Sequence, residues 1–282
     1  TAVHVDEVSA PASMVEAVSI LRRHPDAIPW AGGTLILTSD DRMSGDKQLS
    51  ILDLGGIQEL STINKSDRYL ELGALVRLAD ILALPQNLSL EPLRQAIRLV
   101  GTSTVRNLAT IGGNVAAKSS FMTCFAALAC MDAAVELRDY QGARWMGIHG
   151  LIGDDAKPRF PAATILTRIR ITSEPWDTAI IRRLGEQAPG EIHHASFAAA
   201  ARFEKGTISE IRLAAAGPRI VRDRSLELSL VGQRLPLGAK EMEEAVGEAS
   251  RKALETGFDE PRSRKYGSYV GAFLAGIPEE TR

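Results

Sequence analysis

The chain has 282 residues, of which 45% are hydrophobic and 24% charged, and its formal net charge is −2. This composition is ordinary for a globular protein of one large or two medium domains, and it disfavours a nucleic-acid-binding protein, which usually carries clustered basic residues. No apolar run approaches the roughly 18 residues that span a bilayer. Residues 1–10 lack a basic stretch followed by an apolar one, so we expect no signal peptide.

The N-terminal part of the chain predicts strands, one helix and a loop. Residues 13–21 place apolar side chains at helical spacing, with Ser13 as N-cap and Glu16 as its capping-box partner. Pro25 ends this helix. The other predicted elements are strands over residues 4–8, 28–30 and 49–54 and a loop over residues 38–48.

From residue 55 the pattern becomes a mixture of strands and short helices, as far as a boundary at Ser173-Glu174-Pro175. Alternating runs predict strands over residues 69–74, 134–138 and 163–171. Helical spacing and proline or glycine breaks predict helices over residues 77–84 and 92–100, and a loop over residues 102–107. Past the boundary, strands over residues 196–202 and 208–216 precede helices over residues 224–230, 240–254 and 266–274. Strands followed by helices predict a small α+β domain.

Two cysteines, Cys124 and Cys130, lie in an apolar stretch. We expect both in the core, on or near a helix, because free cysteine is among the most buried residue types. Two thiolates cannot supply the four ligands of an iron–sulfur cluster, so any cluster would lie on another chain. Scattered histidines and the lack of a CxxC motif disfavour a structural metal. Low cysteine use is typical of the reducing cytoplasm, where we expect the protein.

Two glycine pairs follow predicted strands, Gly32-Gly33 and Gly112-Gly113. Adjacent glycines permit positive φ and leave successive amides unobstructed, so each pair could cradle the phosphates of a dinucleotide, with Thr34 or Thr110 adding a hydroxyl. The alternative is that each pair is only a turn, where glycine most often lies. Neither pair is part of a GxGxxG motif, and no P-loop motif occurs. The residues alone therefore indicate two candidate phosphate loops and do not name flavin.

Several segments, in order along nearly the whole chain, resemble the FAD-binding subunit of the molybdenum hydroxylases. This family includes the medium chain of carbon monoxide dehydrogenase and the flavin part of xanthine dehydrogenase. The most specific segment, Val105–Asn114, is close to IRNxATIGGN, and Ala31–Thr34 is similar to AGGTD or AGGHS. Leu52–Leu60 and Leu72–Val76 resemble IDLSGIPEL and IGALTT.

The resemblance implies an α+β protein with two FAD-binding subdomains of the PCMH type, residues 1–54 and 55–172, and a C-terminal α+β domain, residues 176–282. FAD would lie between the two subdomains. The pyrophosphate would be held, largely by backbone amides, at Ala31, Gly32, Gly33, Thr34, Leu35, Ile36, Leu37, Thr110, Ile111, Gly112, Gly113 and Asn114. Ser119 and Thr123 would approach the ribityl or pyrophosphate region, and Leu166 and Arg183 the flavin ring.

The chain departs from the family pattern at three places. Leu35 stands where the family often has Asp, which matters little if the contact there is made by the backbone. The family's SPxxD motif is replaced, with Ser120 for its proline and Thr123 for its carboxylate, so we expect weaker retention of FAD. Arg183 stands where some relatives carry lysine, so the positive charge is kept but the geometry differs.

The resemblance implies an electron-transfer oxidoreductase subunit that has no catalytic nucleophile or base of its own. A small partner with two [2Fe–2S] clusters and a large molybdopterin partner would deliver electrons, and NAD⁺, O₂ or a quinone would accept them. His193-His194 is interpreted as a surface or packing pair and not a metal site, because adjacent residues on a strand point to opposite faces. Two alternatives stay open: a structural or assembly subunit without FAD, and a stand-alone flavin oxidase.

Overall fold

The structure, a computed structural model, describes residues 5–38, 49–86, 88–117, 121–155, 159–185 and 194–277. Three β-sheets with packed helices make up these ranges, which confirms the predicted α+β fold class. Most of the loop expected over residues 38–48 and the predicted contact Ser119 lie outside the described residues. No helix in the described ranges is both long and apolar enough to cross a bilayer.

The first sheet is parallel and three-stranded. Its strands are β1 (Val5–Ser9), β2 (Ile28–Trp30) and β3 (Leu49–Asp53), in the order β1-β3-β2. Between β1 and β2 runs helix α1 (Met14–Arg23), whose N-cap Ser13 accepts a hydrogen bond from the Glu16 amide at 3.3 Å. The Glu16 carboxylate accepts from the Ala12 amide at 2.9 Å and not from Ser13, so the predicted capping box is shifted by one residue.

The second sheet is antiparallel and five-stranded. Its strands are β4 (Ile63–Lys65), β5 (Tyr69–Gly73), β6 (Ala134–Asp139), β7 (Gly142–Gly147) and β8 (Ile165–Thr172), in the order β4-β5-β8-β6-β7. Its helices are α2 (Leu78–Ala83), α3 (Glu91–Arg98), α4 (Ser103–Arg106), α5 (Ile111–Ala116) and α6 (Thr123–Cys130). The loop expected over residues 102–107 was a wrong prediction, because Thr102 accepts a hydrogen bond from the Val105 amide at 3.3 Å and caps the single turn α4.

The third sheet is antiparallel and four-stranded. Its strands are β9 (Thr178–Arg183), β10 (Ser196–Glu204), β11 (Thr207–Ala216) and β12 (Ile220–Arg222), in the order β12-β11-β10-β9. It is followed by helices α7 (Arg224–Leu230), α8 (Ala239–Thr256) and α9 (Glu260–Ala275). Helix α9 starts six residues before the predicted Tyr266, because Asp259 accepts a hydrogen bond from the Arg262 amide at 2.8 Å and caps a charged first turn.

Both faces of the third sheet are buried. Short side chains such as Ala198, Ala200 and Ala214 join the core of the second sheet, while the opposite face packs on α7, α8 and α9. Since alanines leave room, α6 lies directly on the sheet, and its residues from Cys124 to Cys130 are all buried. The prediction of two core cysteines on a helix is confirmed. Burial raises the pKa of the Cys124 thiol to about 12, so this group stays protonated.

Candidate functional site

A cavity of about 780 Å³ lies where the three sheets meet. Its size falls within the roughly 300–1,000 Å³ of small-molecule and cofactor sites. The wall is built from the turn after β2, from α5, from residues 160–166 around the start of β8, and from the hairpin of β9 and β10. The C-terminal sheet therefore closes a site whose other walls come from the first two sheets.

The first glycine pair forms a sharp turn directly after β2. Gly33 has φ +66°, and a Cβ there would lie 2.3 Å from the Trp30 ring. A Cβ on Gly32 would lie 1.9 Å from the carbonyl oxygen of Leu108. Glycine is thus required at both positions by backbone conformation and close packing. In the described part of the chain, neither glycine's amide donates a hydrogen bond, so both remain available to an anion.

The second glycine pair differs from the prediction. Gly112 and Gly113 lie in the first turn of α5, and the Thr110 side chain caps this helix by accepting from the Gly113 amide at 3.0 Å. The amides of Ile111, Gly112 and Asn114 donate to the carbonyls of Val76, Ala74 and Thr110, respectively, at 2.9–3.0 Å. The amides of residues 111–114 are therefore engaged within the protein, and the contact between this segment and a pyrophosphate stays a prediction. The Thr110 hydroxyl proton and the Asn114 side chain remain available for hydrogen bonds to a ligand.

The two segments nevertheless converge, as predicted. The Gly32 backbone packs against Leu108, just before α5, and a Cβ on Gly113 would lie 4.0 Å from Cβ of Ala31. Residues of both segments line the same cavity. The wall contains the predicted contacts Ala31, Gly32, Gly33, Thr34, Leu35, Ile36, Thr110, Gly112, Gly113, Asn114, Thr123, Leu166 and Arg183.

Two predicted contacts lie elsewhere. The side chain of Leu37 is 56% exposed, and Ile111 is fully buried in the core of the second sheet. The Leu37 amide donates to the Gly33 carbonyl at 3.0 Å, and the Ile111 amide is also engaged, so neither residue has a backbone donor for a ligand.

Asn114 brings a polar atom without a partner to the cavity wall. Its Nδ2 donates to the Met122 sulfur at 3.7 Å, whereas its Oδ1 is buried and accepts no hydrogen bond from the described residues. Buried acceptors in native proteins almost always have a donor. This oxygen therefore fits a ligand that presents a hydroxyl or N–H group, as FAD does.

Arg183 lies at the edge of the cavity, at the end of β9. Its Nη2 donates to the Leu99 carbonyl at 3.1 Å, and Nη1 of Arg106 donates to the Val100 and Gly101 carbonyls at 2.9 Å each. These arginines cap the carbonyls that follow α3, where cations are favourable. One N–H group of Arg183 thus holds the side chain in place by binding the Leu99 carbonyl, and the positive charge of the guanidinium lies at the edge of the cavity.

The sequence interpretation missed other parts of the wall. Phe160–Thr164 contributes to it, with Ala163 at φ +50°, and His194 contributes from the hairpin. His194 precedes β10 and is not on a strand, so the strand argument applied to His193-His194 was wrong for His194, while His193 lies outside the described residues. No sequence motif marks these positions, because only the folded chain brings them to the cavity.

An ion-pair cluster anchors the far end of α6, whose first residue lines the cavity. Asp132 accepts hydrogen bonds from His149 (2.9 Å), Arg212 (2.9 Å) and Arg222 (2.5 Å). Partial burial raises the pKa of Asp132, but the hydrogen bonds from His149 and Arg222 outweigh it and hold that pKa well below its ordinary value. Because Arg212 and Arg222 belong to the third sheet, the cluster fixes that sheet to α6.

Residues 4–173 match the family described as the FAD binding domain in molybdopterin dehydrogenase. The chain is 32% identical to aldehyde oxidase 2 of Cavia porcellus over 260 residues, which is 87% of this chain and 19% of that protein. It is 33% identical to the nicotinate dehydrogenase FAD-subunit of Eubacterium barkeri over 144 residues, which is 50% of this chain and 48% of that subunit. The chain thus spans about a fifth and about half of these relatives.

A structure of carbon monoxide dehydrogenase from Hydrogenophaga pseudoflava, which lacks the Mo-pyranopterin moiety of its molybdenum cofactor, contains a chain of the same fold. The two superpose with a TM-score of 0.82, cover 96% of each other and are 23% identical. At this identity the match establishes the fold alone.

Proposed function

We propose, from the premise that this chain belongs to the family of FAD-binding domains of molybdopterin dehydrogenases, that it is the electron-transfer subunit of a molybdenum hydroxylase complex. Its cofactor is FAD. The observation that carries the proposal is the single cavity that is lined by both the glycine turn after β2 and helix α5.

Different residues of the chain are suited to bind the pyrophosphate and the flavin ring of FAD. We assign the pyrophosphate to the amides of Gly32 and Gly33, since positive φ at Gly33 and free N–H groups form an anion-binding nest. Asn114 Oδ1 would accept from the cofactor, and Thr110 would donate its hydroxyl proton. The other predicted contacts that line the wall remain part of the proposal, with Arg183 as the cation nearest the flavin ring.

FAD, when bound, supplies one- and two-electron transfer, and the protein supplies position, electrostatics and exclusion of water. The apolar wall, with Leu166 buried to 6% exposure, keeps solvent from the cofactor. The positive charge of Arg183 at the edge favours a reduced, anionic ring. No side chain is needed as nucleophile or general base.

The partners proposed are a small subunit with two [2Fe–2S] clusters and a large molybdopterin subunit that oxidises the substrate. Both cysteines of this chain are buried and free, and two thiolates are too few to ligate an iron–sulfur cluster, which supports the proposal that the clusters lie on another chain. NAD⁺, O₂ or a quinone would be the external acceptor.

We further propose that residues 1–54 and 55–172 form two FAD-binding subdomains and that residues 176–282 form a C-terminal domain. Each of these ranges contains one of the three sheets, which supports this division. We also propose that the protein is cytoplasmic, because its cysteine content is low.

The test is reconstitution. Purified chain mixed with FAD and desalted should keep the visible flavin band at one FAD per chain, and a reduced two-cluster iron–sulfur subunit should bleach that band in stopped flow. A colourless protein would contradict the proposal and favour an assembly subunit without FAD. Retained FAD that turns over a substrate without partners would favour a stand-alone oxidase.

A further inference from the structure

His194 is a part of the cavity wall to which the sequence assigned no role in binding. Its Nδ1 is buried and has no hydrogen-bond partner among the described residues, although the ring lines the cavity. Among the described residues of this wall, Asn114 Oδ1 is the other buried side-chain atom without a hydrogen-bond partner. Asn114 lies on helix α5 and His194 directly precedes β10, so two separate parts of the fold each bring an unsatisfied polar atom to one cavity.

The backbone next to His194 is held in place. Ala195 accepts a hydrogen bond from the Leu184 amide at 2.8 Å, and Ser196 pairs with Arg183 in the β9–β10 ladder. Ala195 and Ser196 are almost fully buried, at 2% and 1% exposure. The carbonyl of Arg183 also accepts from the Tyr269 hydroxyl at 3.0 Å, which ties the hairpin to α9. His194 is thus presented to the cavity from a fixed strand end.

A ring nitrogen in this position requires a partner. Buried polar side-chain atoms in native proteins are nearly always hydrogen-bonded to protein, to ordered water or to a ligand. The described protein atoms offer none to Nδ1, and the cavity is large enough for a cofactor. Water and the cofactor are therefore the two partners to distinguish by experiment. His194 and Arg183 share one hairpin, and the resemblance places Arg183 near the flavin ring.

We infer that His194 is a contact of the bound FAD and that its Nδ1 forms a hydrogen bond with the flavin ring. This inference rests on the proposed function, since it requires FAD in this cavity. It makes the C-terminal sheet a contributor to flavin recognition, through His194 as well as Arg183. His194 is a positioning residue, and its hydrogen bond orients the ring against the third sheet.

Three substitutions of His194 separate the possible roles. His194→Ala removes both ring nitrogens, His194→Asn places an amide close to where Nδ1 lies, and His194→Gln reaches the position of the other nitrogen, Nε2. His24→Ala is the matched control, because His24 is exposed and does not line the cavity. Each variant is checked by circular dichroism in the absence of FAD, to show that it folds.

The readouts are the FAD dissociation constant, from flavin fluorescence, and the position of the visible flavin band. His194→Ala should bind FAD about three- to tenfold more weakly, the effect of one hydrogen bond, and should shift the band because a ring contact is lost. His194→Asn should recover both properties better than His194→Gln, and His24→Ala should match the wild type.

Unchanged affinity and an unchanged band in His194→Ala would overturn the inference and make water the partner of Nδ1. Weaker binding with an unchanged band would overturn the assignment to the ring. Equal rescue by asparagine and glutamine would overturn the role of Nδ1. In all three cases the wild type still binds FAD. A wild-type protein that takes up no FAD would overturn the proposed function itself.

Discussion

Gly33 holds a backbone conformation that other residues reach only with strain, φ +66°, and it also faces the Trp30 ring. Gly33→Ala should cost about 1–2 kcal/mol for the left-handed backbone and about 1–3 kcal/mol more for crowding against Trp30. The affinity for FAD should fall as well, because the substitution displaces the amides of residues 32 and 33 that would bind the pyrophosphate. Urea unfolding without FAD and a flavin titration measure the two effects.

Gly232→Ala is the control for that experiment. Gly232 has φ +82°, and a Cβ added there would meet nothing within 4 Å. Gly232→Ala should lower the free energy of unfolding only by the cost of the left-handed backbone conformation, and it should leave FAD binding unchanged. Equal destabilisation by the two substitutions would mean that contact with Trp30 has no role.

Asp132 is suited to a test by pH. Its pKa is lowered in the folded protein, so its carboxylate contributes stability that is fully present above the unfolded pKa of about 3.9 and is lost as pH falls towards the folded pKa. Asp132→Asn, which tolerates the residue's φ of +51°, should lower the unfolding free energy at pH 7 by about 1–3 kcal/mol, since the partly exposed site screens the charges.

Urea unfolding at steps from pH 7 to about pH 3 should show the wild type losing more stability on acidification than Asp132→Asn, with the curves converging at low pH. Asp67→Asn is the control, because Asp67 is exposed and forms no ion pair with the described residues. Parallel curves for wild type and Asp132→Asn would contradict the assigned role.

Helix α5 depends on its cap. The Thr110 side chain accepts from the Gly113 amide, and no later residue in the turn can replace it. Thr110→Ala should cost about 1 kcal/mol of stability without FAD and should also weaken FAD binding, because α5 lines the cavity. Thr110→Ser keeps the oxygen and should restore both, as judged by urea unfolding and FAD titration. Failure of serine to restore stability would point to the lost methyl group instead.

The elements show where local sequence signals were sufficient. Helix α1, which has the Ser13 cap, and helix α3, which has Pro92 in its first turn, were predicted to within a few residues. Edge strands β4 and β7 were missed, because β4 has only three residues and most of β7 is exposed, so neither shows an alternation of apolar and polar side chains. The two glycine pairs look alike in sequence, yet one is a left-handed turn and the other begins a helix. Thr110, three residues before Gly113, was the available capping signal.

The site was predictable only where a local motif marks it. The glycine segments converge as expected, whereas Phe160 and His194 reach the cavity through the arrangement of sheets. Such contacts depend on long-range packing and have no pattern in the sequence. The same holds for Asp132, whose partners lie on three different segments of the chain.

All three sheets contribute to one cavity, so FAD should stabilise the molecule as a whole. At a free FAD concentration 100 times the dissociation constant, the unfolding free energy should rise by about 2.7 kcal/mol. Hydrogen exchange should slow in residues 194–204 of the third sheet as well as near residues 31–37 and 110–116. Protection confined to the first two sheets would show that the C-terminal hairpin does not close on the cofactor.

The engaged amides of α5 have a consequence for how the cofactor enters. The amides of residues 111–114 all donate hydrogen bonds within the protein, so these N–H groups are not left unpaired when FAD is absent. This half of the site is preorganised, so little conformational entropy is lost there on association. The glycine amides that donate no hydrogen bond lie on the opposite turn, which is itself held by close packing against Leu108 and Trp30. A newly made chain should therefore be able to fold first and acquire its cofactor later.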